Sequence, residues 1–152
     1  MITVLLIVHG LLAVTLLGAL THQSLAIVRP SGGGKRSFFD RYRSINTAAF
    51  TNTIVILFLL TALGGALLYP QYRIDIRTTL EDLQLRAANG VFEMKEHFVA
   101  VGLGLLPAYV FFWKSPDAAH ATGRRAVTWM LAFVVWWSFL VGHVLNNIKG
   151  FQ

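Results

Sequence analysis

Four long apolar stretches alternate with short polar segments along this chain. The stretches are residues 2–28, 46–69, 91–113 and 126–147. A helix needs about 20 mostly apolar residues to cross the hydrocarbon core of a bilayer, so each stretch predicts one transmembrane helix. The third stretch has a polar start formed by Glu93, Lys95, Glu96 and His97. The pattern predicts an all-α integral membrane protein, a single membrane domain folded as a four-helix bundle.

The polar segment between the second and third stretches predicts two further features. Pro70, flanked by Tyr69 and Tyr72, indicates a helix stop with aromatic anchors at the membrane surface. The stretch Thr79–Ala88 places Leu80, Leu83 and Ala87 on one side, which predicts a short amphipathic helix in this loop.

The basic residues are distributed unevenly between the two sides of the predicted bundle. Loops 29–44 and 114–125 carry eight Lys and Arg residues, whereas loop 2 with the start of the third stretch and the tail carry five. Those five are matched by five acids on the same side. Because Lys and Arg accumulate on the cytoplasmic face, loops 29–44 and 114–125 are predicted to be cytoplasmic. The termini and loop 70–90 are then outside, and a bacterial inner membrane is the expected location.

Composition narrows the range of functions. Apolar residues make up 55% of the chain and charged residues 13%, and the formal net charge is +6. The excess of basic residues lies in the loops that are predicted to be cytoplasmic, where it is explained by membrane topology. Nucleic acid is therefore not an expected partner. The chain has no Cys, which excludes disulfides, thiolate metal sites and redox thiols.

Three histidines are expected at one depth near the end of the bundle where the chain begins. From the helical rise, His9 lies roughly 10 Å, His97 about 9 Å and His143 roughly 6 Å below the same face. Glu93 is on the helix face of His97, and Trp129 and Trp136 share a seven-residue stripe with His143. Ionisable groups within a membrane are costly and are therefore candidate functional residues.

The hypothesis that best fits these residues is a b-type haem held by the neutral imidazoles of His97 and His143. His9 would be a substitute ligand or a proton partner, and Trp136 would contribute an aromatic wall. An iron or copper ion bound by His9, His97 and His143 is an alternative, with Glu93 nearby. A quinone headgroup bonded by one histidine is another. The remaining interpretation has no cofactor, with the histidines anchoring helices at the interface.

A second polar group is predicted at the opposite end of the bundle. His22 shares a helix face with Thr15 and Gly18, and Thr51, Asn52 and Thr53 lie at a similar depth. Because buried polar groups in lipid must find partners, these residues predict a structural hydrogen-bonded cluster around His22.

The first helix, with His9-Gly10 followed by Gly18, resembles the first helix of small four-span bacterial membrane proteins that handle haem or copper. The copper-resistance membrane proteins and the small membrane protoporphyrinogen oxidases are such groups. The resemblance covers this helix and the topology, and it implies His9 as a haem ligand.

Two classes of function follow from these observations. The first is a small cytochrome-b-like subunit that transfers electrons within a respiratory or related membrane complex. The second is a non-catalytic accessory subunit of a larger membrane complex, and a metal-handling membrane protein is a third alternative. A membrane protein partner or a second copy of the chain is expected. No nucleophile–base pair stands in a catalytic setting, so an independent enzyme is not expected.

Overall fold

The computed structural model describes residues 2–28, 46–115 and 117–150, with the side chains of the last helix described as far as Asn146. Within these ranges the chain is helical and contains no strand, which confirms the all-α prediction. The helices are α1 (Ile2–Ala26), α2 (Thr51–Gln71), α3 (Arg77–Asp82), α4 (Arg86–Lys114) and α5 (Ala121–Gly150). Short 3-10 turns at Thr47–Phe50 and Ala118–His120 precede α2 and α5. Loop 29–44 lies outside the described residues.

Four helical segments are long and apolar enough to cross a membrane, as predicted. They are Ile2–Ala26, Thr47–Asp82, Arg86–Lys114 and Ala118–Asn146. The chain is therefore a multi-pass membrane protein by the length and composition of its helices.

The helices pack as a bundle in which α1 lies between α2 and α5, α5 packs against α4, and α2 also contacts α4. The buried core lies toward the middle of the bundle and the end away from the N-terminus. Its members are Leu16, Leu20, Ile54, Phe58, Leu106, Tyr109, Trp113, Val127, Leu131, Val134 and Val135. The end where α1 begins, called here the N-terminal end of the bundle, has a separate and smaller core.

The second span continues beyond the proline that was expected to end it. Pro70 lies inside α2, and a π-helical turn at Tyr72–Ile76 joins α2 directly to α3. Proline lacks an N–H, so the helix loses one hydrogen bond there, but helical hydrogen bonding continues beyond it. The Tyr72 N–H reaches the carbonyls of both Leu68 and Tyr69. The predicted helix stop is therefore wrong, and the wider π turn lets the helix pass the irregular position.

The predicted amphipathic helix over Thr79–Ala88 is also replaced by a different arrangement. α3 ends at Asp82, a turn follows, and α4 begins at Arg86. Gln84 in this turn has φ 59°, the left-handed conformation that a continuous helix cannot include. Of the three residues expected on one side, Leu80 is buried in a small core with Val141 and Leu145, whereas Leu83 and Ala87 are exposed. The apolar face expected over Thr79–Ala88 is therefore not formed.

The third connection is shorter than the loop predicted over residues 114–125. Asp117 accepts a hydrogen bond from the Ala119 N–H at 2.8 Å and starts the following 3-10 turn. Arg124, already in α5, donates to the carbonyls of Phe112 at 2.8 Å and Ser115 at 2.6 Å. A basic side chain thus caps the C-terminal end of α4 and ties it to α5.

Close packing of α4 against α2 and α5 predicts that Gly102→Ala destabilises the bundle. A Cβ at Gly102 would lie 2.6 Å from Cζ of Phe58 and 3.2 Å from Cγ1 of Val134. We expect a loss of about 1–3 kcal/mol in the free energy of unfolding, measured by denaturant titration in detergent micelles. Gly104→Ala is the matched control because nothing lies within 4 Å of its added Cβ. Equal losses in both variants would contradict the packing argument.

Candidate functional site

The three histidines expected in one layer face in different directions. His9 on α1 is half-buried, whereas His97 on α4 and His143 on α5 are exposed. Similar depth therefore does not bring their imidazoles into one enclosed pocket. The environments of the three rings have to be considered separately.

His9 packs into a shallow groove formed by two glycines of α2. A Cβ on Gly64 would lie 3.0 Å from Nδ1 of His9, and one on Gly65 would lie 3.5 Å from its Cε1. Nδ1 of His9 is buried and makes no hydrogen bond within the described residues, although the Thr61 carbonyl lies near the ring. Lys95 and Glu96 of α4 are within electrostatic reach. His9 therefore lies where α1, α2 and α4 approach one another.

Lys95 and Glu96 form an ion pair beside this junction. Lys95 Nζ lies 2.7 Å from Glu96 Oε1, and the side chains are 13% and 35% exposed. The ammonium group also lies 4.2 Å from the centre of the Phe92 ring. A cation over an aromatic face is stabilised by the ring quadrupole, most strongly where water is excluded. The sequence analysis placed both residues in the polar start of the third stretch and did not predict their pairing, although two charges at membrane depth are a signal in themselves.

Glu93 does not face a histidine with its carboxylate. Its Oε1 lies 3.4 Å from Arg77 Nη1 of α3, and Arg77 also bonds Glu81 at 2.7 Å. These side chains are between 30% and 49% exposed, so the two ion pairs add little stability. The contact of Glu93 with His97 is through its backbone: the Glu93 carbonyl lies 2.8 Å from Nδ1 of His97.

An aromatic stack fixes the start of α4 against the π-helical turn. The rings of Tyr72 and Phe92 lie 3.6 Å apart and are inclined by 15°, and Tyr69 stacks on both. The Tyr72 hydroxyl donates to Asn89 Oδ1 at 2.6 Å. Tyr72 lies beyond the apolar part of the second span, where burial, with Glu93 as the second cause, raises its pKa to about 12. Its hydroxyl is therefore a neutral donor at physiological pH.

The aromatic stripe of α5 lies on the outside of the bundle. Trp129 is 48% and Trp136 42% exposed, and the Trp136 Nε1–H donates to Thr21 Oγ1 of α1 at 2.9 Å. The His143 ring is parallel to Phe139 of the same helix at 6.1 Å. Buried positions 141 and 145 are each two residues from His143, which places it about 200° around the helix from both. Trp136 and His143 therefore border an external face.

The expected metal-ion site is not formed in the described part of the chain. There, no three His, Asp or Glu side chains are grouped so that they could hold one metal ion. His9, His97, His143 and Glu93 are all among the residues considered. Their separate orientations explain this result, because a metal ion needs its ligands to converge on one point.

The polar cluster at the other end of the bundle is centred on Gln23 rather than on His22. Gln23 is fully buried, and its Nε2 donates to the Thr47 carbonyl at 3.1 Å. The Tyr109 hydroxyl of α4 donates to Gln23 Oε1 at 2.5 Å. His22 instead packs edge-on against Phe50 at 6.0 Å. Thr51 is buried nearby as expected, whereas Asn52 and Thr53 are exposed.

The resemblance of the first helix to haem- and copper-handling membrane proteins rests on three residues. In the structure His9 and Gly10 are half-buried and Gly18 is exposed. Comparison with known protein families, with curated proteins and with solved structures finds no match for this chain. The resemblance stays a prediction.

The groove that receives His9 predicts different effects for its two glycines. Gly64→Ala places a methyl group 3.0 Å from Nδ1, so the ring has to move, whereas Gly65→Ala makes an ordinary contact at 3.5 Å. We expect the ¹⁵N and ¹³C imidazole resonances of His9 to shift in Gly64→Ala and to change much less in Gly65→Ala. Unchanged resonances in Gly64→Ala would show that His9 does not occupy this groove.

Proposed function

We propose that this chain is a small integral membrane subunit of an electron-transfer complex and carries a b-type haem on the exposed face of α4 through His97. The observation that carries the proposal is the hydrogen bond of the exposed His97 imidazole. Its Nδ1 lies 2.8 Å from the Glu93 carbonyl, and the residue is exposed. Since a carbonyl only accepts, Nδ1 is the protonated nitrogen and Nε2 keeps a free lone pair.

This arrangement fits an axial haem ligand. Histidines that bind metals usually donate their other ring N–H to a carbonyl or carboxylate, which fixes both the tautomer and the ring orientation. The backbone carbonyl of Glu93, one helical turn before His97, has this role here. When bound, the haem would supply one-electron transfer, while the chain would orient the ligand and place it near one membrane surface.

The second axial ligand is proposed to come from a neighbouring chain. His97 lies about 140° around α4 from the buried Gly102, and His143 faces away from the buried positions of α5. These two imidazoles therefore do not face a common gap within one chain. A haem at His97 would lie at an interface, which agrees with the expectation of a membrane protein partner or a second copy.

The proposed location is the bacterial inner membrane, with both termini and residues 70–90 outside and segments 29–44 and 114–125 in the cytoplasm. The excess of Lys and Arg in these two segments supports this orientation. Arg124 lies in α5 rather than in a loop, but its side chain caps α4 at the same end of the bundle. The number of Lys and Arg residues on that side of the membrane is therefore unchanged. The proposed haem then lies toward the outer face, close to an extracytoplasmic acceptor.

A purely accessory subunit is the second candidate function, favoured by the weak packing of α1. The buried residues of α1 are Leu16, Leu20, Gln23 and Ser24, all in its second half. Its first half presents apolar side chains such as Val4 and Leu11, each 65% exposed. This surface is suited to lipid or to a neighbouring transmembrane helix.

The haem proposal predicts that the purified complex has a Soret band and that its haem spectrum changes when His97 is replaced. The protein is extracted in mild detergent with its accompanying subunits, and spectra are recorded oxidised and after dithionite reduction. His97→Ala should remove the reduced α-band or shift it, because the iron loses an axial ligand.

His120→Ala is the matched control for this experiment. His120 lies in the 3-10 turn before α5, against Phe111 and Phe112, and should leave the spectrum unchanged. A wild-type complex without any Soret band would overturn the haem proposal. Partners that copurify in fixed stoichiometry without such a band would favour the accessory subunit.

The proposed orientation predicts which positions react with a membrane-impermeant maleimide. The chain has no Cys, so single substitutions report cleanly. Leu83→Cys, in the turn between α3 and α4, should label in intact spheroplasts. Ala119→Cys, before α5, should label only after lysis. The reverse pattern would invert the topology.

A further inference from the structure

The first half of α1 packs less tightly against the bundle than the second half. None of the residues 2–15 is buried, whereas the second half of the helix contributes Leu16 and Leu20 to the core. The small core at the N-terminal end of the bundle contains side chains from α3, α4 and α5 and none from α1. His9, in its glycine groove on α2, is the ionisable residue among the half-buried positions of this half-helix.

The charges that face His9 come from one helix. α1 itself carries no charged side chain over Ile2–Ala26, and α2 contributes Thr61, Gly64 and Gly65, which are also uncharged. The charges are Lys95 and Glu96 of α4. α5 also packs against α1, but its ionisable residue at this depth, His143, is exposed on the outside. The ring of His9 therefore lies beside an ion pair whose two charges already bond each other.

A proton on His9 would disturb this arrangement. An imidazolium ion in a half-buried, lipid-surrounded groove loses hydration, which the Thr61 carbonyl and the glycine surface of α2 replace only in part. Lys95 would repel it, and Glu96 would attract it only at the expense of the 2.7 Å contact with Lys95. The charged form is therefore better accommodated when the first half of α1 separates from α2 and α4 and admits water.

We propose that His9 is a proton-binding site that couples pH to the packing of the first half of α1. With His9 neutral, α1 lies in the Gly64–Gly65 groove. With His9 protonated, residues 2–15 move away while the second half of α1 stays fixed by Leu16, Leu20 and Gln23. The sign follows from linkage: the open form binds the proton more tightly, so the packed form is stable at higher pH and is lost as pH falls.

The test measures two distances in the full chain reconstituted in phosphatidylcholine vesicles. Spin labels on Val4→Cys and Leu67→Cys report the first half of α1 against α2, and labels on Leu25→Cys and Ile56→Cys report the second half. All four positions are exposed, and the chain has no other Cys. Electron–electron double resonance is recorded between pH 8 and pH 5.

The 4–67 distance distribution should lengthen and broaden at low pH, while the 25–56 distribution stays constant. His9→Phe, with a flat ring that cannot be protonated, should abolish the change, and His9→Gln is the second variant should the Phe ring not fit. His22→Phe, on the same helix at the other end, should keep it. Lys95→Met should weaken the change and move its midpoint to lower pH, because the repulsion is lost and the released Glu96 stabilises protonated His9 in the packed form.

The same pH response in both His9 variants, or no change in the 4–67 distance between pH 8 and pH 5, would overturn the proposal. A parallel change in the 25–56 pair would indicate general loosening and would overturn it as well. The experiment needs no haem, so its outcome is independent of the electron-transfer proposal.

Discussion

Lipid offers a buried polar group no hydrogen bond, so the two most deeply buried polar side chains, Gln23 and Thr128, depend on partners within the bundle. Gln23 is fully buried because Tyr109 and the Thr47 carbonyl both bond it. Thr128, equally buried, accepts from the Trp113 indole and donates to the Arg124 carbonyl. Such pairs tie α1 to α4 and α4 to α5, where apolar contact alone gives little preference over contact with lipid tails. The bonded polar groups therefore specify which helices are neighbours.

The sequence was sufficient to predict the four long apolar helices, because these depend only on the length and composition of each stretch. It was not sufficient to predict which side chains of a helix face a neighbouring helix. His9, His97 and His143 were expected in one layer, but His9 is half-buried against α2 whereas His97 and His143 are exposed. One residue of rotation likewise separates His22, which packs on Phe50, from Gln23, which is the centre of the buried cluster. Interhelical angles depend on packing details such as the Gly102–Phe58 contact, which have no local pattern in the sequence.

Helix ends were the other feature that local signals misplaced. Pro70 is a helix breaker by intrinsic preference, but the apolar contacts of Ile76 and Leu80 beyond it favour continuing the helix. Arg124 was assigned to a loop on the basis of charge, although its side chain caps α4 from within α5. In both cases a contact made in the folded bundle outweighs a preference of the isolated segment.

The continuous second span has a geometric consequence. Thr47–Asp82 comprises 36 residues, roughly 54 Å of helix against a hydrocarbon thickness of about 30 Å. About 24 Å of this length exceeds the apolar layer, and the helix ends in the turn at Leu83–Leu85. Because the chain stays helical through the π-helical turn, no loop separates the protruding end from the membrane-spanning part. One continuous element therefore connects the aqueous surface to the part of the bundle that contains the glycine groove.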